Sequence, residues 1–106
     1  MLSFIPVLFW LAAASISLTT DAGQRQVFEV RGVGAARLSV AEVEAKFHVY
    51  VDGVSGAPPV MGSYSIAGDA VRFTPRFPLQ GGLTYRAEWT GTPPVLIPIP
   101  RREVRA

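Results

Sequence analysis

Hydrophobic and polar residues alternate in several short stretches of this chain, and the breaks between those stretches are rich in Gly and Pro. In residues 60–66, Tyr64 and Ile66 share a face with Val60 and Gly62; Gly62 marks a bulge or a close backbone approach. In residues 71–74, Val71 and Phe73 point inward and Arg72 outward. Only Ala67-Gly68-Asp69-Ala70 separates these two runs, and its Gly can take positive φ. The pair predicts a β-hairpin. Residues 83–89 alternate again, with Leu83, Tyr85, Ala87 and Trp89 inward against Thr84, Arg86 and Glu88. Between them stands Pro75-Arg76-Phe77-Pro78-Leu79-Gln80-Gly81-Gly82. Two prolines stop the ladder and two glycines allow a sharp turn. This segment predicts a crossover between two sheets, with Phe77 and Leu79 tucked beneath the corner.

The front half is patterned less evenly. Residues 24–31 form a short strand candidate with Phe28 and Val30 inward, and Gly32 and Gly34 break it. From Val43 the alternation is strict: Phe47, Val49 and Val51 fall on one side, His48 and Tyr50 on the other. Yet Ser39 followed by Glu42 is a capping-box pattern, and the composition that follows favours a helix. One helical turn near 39–44 and then a strand near 46–51 satisfies both signals, and Asp52-Gly53 ends it. Residues 54–59 form a loop. Residues 90–100 (TGTPPVLIPIP) favour an extended conformation. They are too apolar for a free linker, so they are expected to pack on a sheet edge or on another domain. Residues 101–106 are expected to be a disordered end.

No side chain before Asp21 is charged, so only the α-amino group supplies positive charge at the N-terminus, and the apolar run 4–14 has the length of a signal-peptide core. The sequence places a cut after Ala22, with Thr20 and Ala22 as the small residues, or after Ser17. An uncleaved membrane anchor is a second reading, although the run falls short of the ~20 residues a spanning helix needs and Pro6 interrupts it. A buried helix of a cytosolic protein is the third. Removing residues 1–22 leaves about 80 residues, a domain with a modest core.

Composition narrows the chemistry. The 106 residues include no Cys, so no disulfide, thiolate metal site or lipid anchor is available. Arg supplies nine of ten basic residues, and the net charge is +2. The basic residues are scattered, which does not make a nucleic-acid surface. Arg72, Arg76 and Arg86 are expected on or near adjoining strands, as a solvated face or a basic stripe. His48 is the only His, so a His-based metal site is excluded, and no Ser stands out as its catalytic partner. Glu42 and Glu44 are the one close carboxylate pair and read as a solvated face. Asp21, Asp52 and Asp69 sit in separate turns without the alternating oxygens of a Ca²⁺ loop. Gly32-Val33-Gly34 lacks the rest of a dinucleotide fingerprint. The sequence implies neither enzyme nor cofactor. Tyr50 and Trp89 are candidate sugar-stacking aromatics.

The run SYSIAGDAVRFTPRFPLQGGLTYRAEW resembles the C-terminal half of bacterial immunoglobulin-like domains of the SbsA type, found in surface-layer and other exported proteins. The matching pattern is Val71, Phe73, Thr74 and Pro75, then Pro78-Leu79, Gly82 and Thr84-Tyr85. Residues 24–42 depart from it, lacking the Pro/Gly-led opening strand and the Phe-Ser-x-Pro-like strand end. The resemblance implies an all-β, small immunoglobulin-like β-sandwich over residues 23–90, followed by a Pro-rich extended tail at 91–106. It implies export to the periplasm, the cell surface or the medium, and no catalytic residues. Phe47, Phe73, Pro75, Leu79, Gly82, Tyr85 and Trp89 are expected to serve the core and the corner. Tyr85, just inside a strand after a corner, resembles the tyrosine corner of such sandwiches. The expected partners are other protein domains, of the envelope or of a longer parent chain. A carbohydrate-binding module using exposed aromatics is the alternative. Membrane contact is expected only through an uncleaved N-terminal segment.

Overall fold

Period-2 alternation becomes ladder wherever both faces of the chain find a partner. The computed structural model describes residues 14–101. Its strands are β1 (Ser15–Thr20), β2 (Gln26–Arg31), β3 (Phe47–Val51), β4 (Gly62–Ala67), β5 (Ala70–Pro75), β6 (Thr84–Trp89) and β7 (Val95–Pro98). A 3₁₀ turn at Ala35–Arg37 and the helix α1 (Val40–Lys46) lie between β2 and β3. All pairings are antiparallel. One sheet runs β1-β2-β5-β4 and the other β3-β6-β7, which makes a small β-sandwich-like fold.

The two inner faces meet over aromatic rings. Phe28, Val30, Val71 and Phe73 from the larger sheet pack with Phe47, Val49, Tyr85, Ala87 and Trp89 from the smaller. Phe73 is the hub: its ring centroid lies 6.2 Å from that of Phe28, 6.3 Å from Phe47 and 4.8 Å from Tyr64. Phe28, Phe47 and Phe73 are fully buried, and each contributes about 1.5–3 kcal/mol by leaving water. β4 and β5 join through Gly68 and Asp69, with Gly68 at φ 60°. At the other end of that hairpin Gly62 lies opposite Pro75. A Cβ there would run into the Thr74 carbonyl and the Phe73 ring, so the residue is a close approach.

The helix is longer than the single turn expected. Ser39 Oγ accepts from the Glu42 N–H at 3.2 Å, and the Glu42 carboxylate accepts from the Ser39 N–H at 2.8 Å. This reciprocal cap starts the helix, and burial of Val43 holds it to the core. Phe47 both ends the helix and begins β3, because its N–H still donates to the Val43 carbonyl.

Two segments differ from the sequence reading, and a third, the tail, packs on a sheet edge as that reading allowed. Residues 15–20, assigned there to the leader, form β1 beside β2, so the sheet begins at Ser15 rather than at residue 23. Ile16 and Leu18 pack against the core, and this alternation is hidden when the segment is read as the end of an apolar run. Val95–Pro98 of the Pro-rich tail is strand β7, paired to β6. Its prolines are tolerated because β7 is an edge strand. Phe77 is not tucked beneath the corner but is 69% exposed, with the Arg76 guanidinium 5.8 Å from its ring. Leu79 packs against the core instead. The apolar run of the expected leader, residues 4–13, lies outside the described residues, as do residues 102–106 of the expected disordered end. Among the described residues no helix is long and apolar enough to cross a membrane.

Candidate functional site

Two tyrosine hydroxyls tie the sandwich together. The crossover from β5 to β6 turns at Gly82, at φ 87°, whose N–H donates to the Ile99 carbonyl at 2.8 Å. Tyr85 follows, buried, and its hydroxyl accepts from the Gln80 N–H at 2.9 Å. The corner is thereby fastened to the strand that leaves it. Tyr64 on β4 donates its hydroxyl to the Phe47 carbonyl at 2.8 Å, joining the larger sheet to the start of β3. Burial raises the Tyr64 pKa above its ordinary 10.0, and the charges of Glu44 and Tyr50 add to that. Nothing in the sequence marks Tyr64 as a bridge, because its partner is a backbone atom of another sheet.

The outward faces are paired charges. On the smaller sheet Arg86 is central. Its Nε reaches Glu88 at 2.7 Å, its Nη1 reaches Asp52 at 3.3 Å, and its guanidinium lies 4.9 Å from the Tyr50 ring centroid. These partners, Glu88 foremost, raise its pKa further. On the larger sheet Glu29 sits between Arg31 at 3.0 Å and Arg72 at 3.1 Å. Glu29 is only 7% exposed, a buried acid that alternation alone reads as outward. Arg72 and Arg86 belong to different sheets and each holds a carboxylate, so the stripe with Arg76 does not form.

The remaining expected residues are placed as follows. Phe47 and Phe73 are in the core, and Pro75 closes β5. Trp89 is 8% exposed and packs on Phe47. Its indole is therefore not a surface platform, and Arg86 lies over the Tyr50 ring. His48 faces Glu88 across the strand pair and lies beside Tyr50. Asp21 caps its own turn, accepting from the Gly23 and Arg25 N–H groups at 2.9 Å, and Asp52 is taken by Arg86. Ala22 is an exposed residue of the turn between β1 and β2. Among the described residues no group of three or more His, Asp or Glu is arranged to hold a metal ion.

One concavity stands out. A cleft of about 580 Å³ runs along the side of the sandwich between β4 and the α1–β3 junction. Arg25, Glu44, His48, Met61, Tyr64 and Arg76 line it. Its floor is the bridge at Val60 and Met61. The Val60 N–H donates to the Val49 carbonyl at 2.7 Å, and the Met61 carbonyl accepts from the Arg76 N–H at 2.8 Å. Met61 itself is 61% exposed. Among the described residues β4 has a strand on one side only, and its residues Gly62, Ser63 and Tyr64 border the cleft. A mixed-charge cleft with an apolar thioether beside an unpaired strand edge suits an extended peptide. The hydroxyls of Ser63 and Thr74 line it as well.

Comparison of the chain with protein-family models, with curated proteins and with solved structures finds no match in any of the three.

Proposed function

We propose that this chain is an exported, non-catalytic immunoglobulin-like domain of the bacterial cell envelope or secretome, acting as a structural spacer or protein-interaction module. The observation that carries the reading is the strand order. Immunoglobulin constant-type sandwiches place their first, second, fifth and fourth strands in one sheet and their third, sixth and seventh in the other. The order β1-β2-β5-β4 over β3-β6-β7 matches it strand for strand. The bond from the Tyr85 hydroxyl to the backbone at Gln80 is a second feature of such sandwiches. The interaction arm of the reading rests on the open β4 edge beside the cleft, where a partner strand would add to the sheet.

The test is crosslinking in living bacteria that make the full chain. A photocrosslinking amino acid replaces Met61, and in a control it replaces Asp69 at the far turn. An interaction module gives a discrete protein adduct from position 61 and none from 69. Adducts from neither position leave the spacer role and remove the interaction role. Retention of the whole chain in the cytoplasm sinks the proposal.

A further inference from the structure

β1 fixes where an export leader can end. We infer that a signal peptidase hydrolyses the bond between Ala14 and Ser15, so that the mature chain begins with the first residue of β1. This rests on the reading of the chain as exported.

The register carries the argument. β1 pairs with β2 along its whole length, from Ser15 opposite Arg31 to Thr20 opposite Gln26. Ile16 and Leu18 face inward and pack on the core. β2 is the most enclosed strand of the fold, buried from Val27 to Val30. A cut after Ala22 strips all of β1 and turns β2 into a bare edge with a row of unpaired backbone groups. A cut after Ser17 removes Ile16 and half the ladder. A cut after Ala14 takes nothing from the sheet, because Ala14 lies just before β1.

The sequence supplies the small residues the enzyme needs at that bond. Signal peptidases act after an apolar run, on a segment with small residues at the first and third positions before the cut. Ala14 and Ala12 occupy those positions, directly after the apolar residues ending at Leu11. Water adds across the peptide bond, leaving a carboxylate on Ala14 and a free α-amino group on Ser15. The requirement for small residues and the requirement for an intact sheet therefore meet at one bond.

The experiment uses the full chain with a C-terminal tag, made in a bacterium with a working export pathway. The intact mass and N-terminal sequence are read on the protein found outside the cytoplasm. A mature chain starting at Ser15 is expected. A start at Gly23 or Leu18, or an exported chain that keeps its leader, overturns the inference while the export reading stands. Full-length protein confined to the cytoplasm overturns the export reading, and this one with it. Ala14→Leu is expected to abolish most of the processing and accumulate precursor, whereas Ala22→Leu, in an exposed turn, is expected to leave the Ser15 start unchanged. Normal processing of Ala14→Leu, or a shifted start in Ala22→Leu, also refutes it.

Discussion

Replacing Tyr64 by Phe removes one oxygen from the joint between the sheets and little else. The ring stays against Phe73, 4.8 Å between centroids, so its apolar burial is kept. What is lost is the 2.8 Å bond to the Phe47 carbonyl. A net hydrogen bond contributes about 0.5–1.5 kcal/mol, and an acceptor left dry costs more. The cleft admits water to this side of the joint, so we expect about 1 kcal/mol. In a domain of this size that lowers the melting midpoint by about 4–8 °C. The difference should also depend on pH. The folded protein holds the Tyr64 proton above pH 10.0, while the unfolded chain releases it near that value. Above it the unfolded state binds fewer protons, so wild-type stability falls as pH rises. The Phe variant lacks this group, and the other tyrosines are common to both proteins. The gap in midpoint is therefore full at neutral pH and narrows above about pH 10. Calorimetric melts of both proteins across that range are the assay. Equal midpoints at neutral pH, or a gap that stays constant or widens under alkaline conditions, would refute the reasoning.

Tyr85→Phe should cost about 1 kcal/mol, because the corner loses the acceptor for the Gln80 N–H; an unchanged melt removes the tether. Phe73→Ala should cost about 3–5 kcal/mol in urea unfolding, since that ring touches three others. Phe77→Ala, at an exposed corner, should stay within about 0.5 kcal/mol. Ser39→Ala should cost about 0.5–2 kcal/mol by uncapping α1. Bonds from the Ser39 backbone and hydroxyl hold the Glu42 carboxyl below its ordinary 4.5. That contribution is present above pH 4.5 and is lost as the carboxyl protonates. The Ser39 backbone bond survives in the variant, and the bond from the Glu42 N–H to Ser39 Oγ does not titrate. Melts in acid should therefore show both proteins less stable and the gap between them largely kept.

Alternation around Phe73 and Tyr85 made the hairpin, the crossover and β6 legible, because each run is bounded by Gly or Pro and buries one clean face. Ser39 and Glu42 announced the helix through a local hydrogen-bond pattern that needs no tertiary information. β1 was obscured because Ile16 and Leu18 extend an apolar run, and only the partner strand shows that they alternate. β7 was legible as an extended apolar segment for a sheet edge but not as a strand, because its prolines cannot donate to a ladder and only the partner strand shows where they are tolerated. At the candidate site Met61 and Tyr64 come together with Glu44 and His48 through sheet-to-sheet packing, which one-dimensional spacing does not encode. Glu29 is the same case: its burial depends on Arg31 beside it and on Arg72 from a strand far along the chain.

The centre of the larger sheet joins strands remote in sequence. Phe28 lies opposite Phe73, about 45 residues away, and closing so long a loop costs entropy before any contact offsets it. The β4–β5 hairpin needs only its two-residue turn and forms on the microsecond scale. Sheet closure is therefore a late event, and it waits until β5 has been synthesised. This delay keeps most of the chain extended until late in its synthesis. With no cysteine to lock an early intermediate, the order of strands in the sheet acts as the timer.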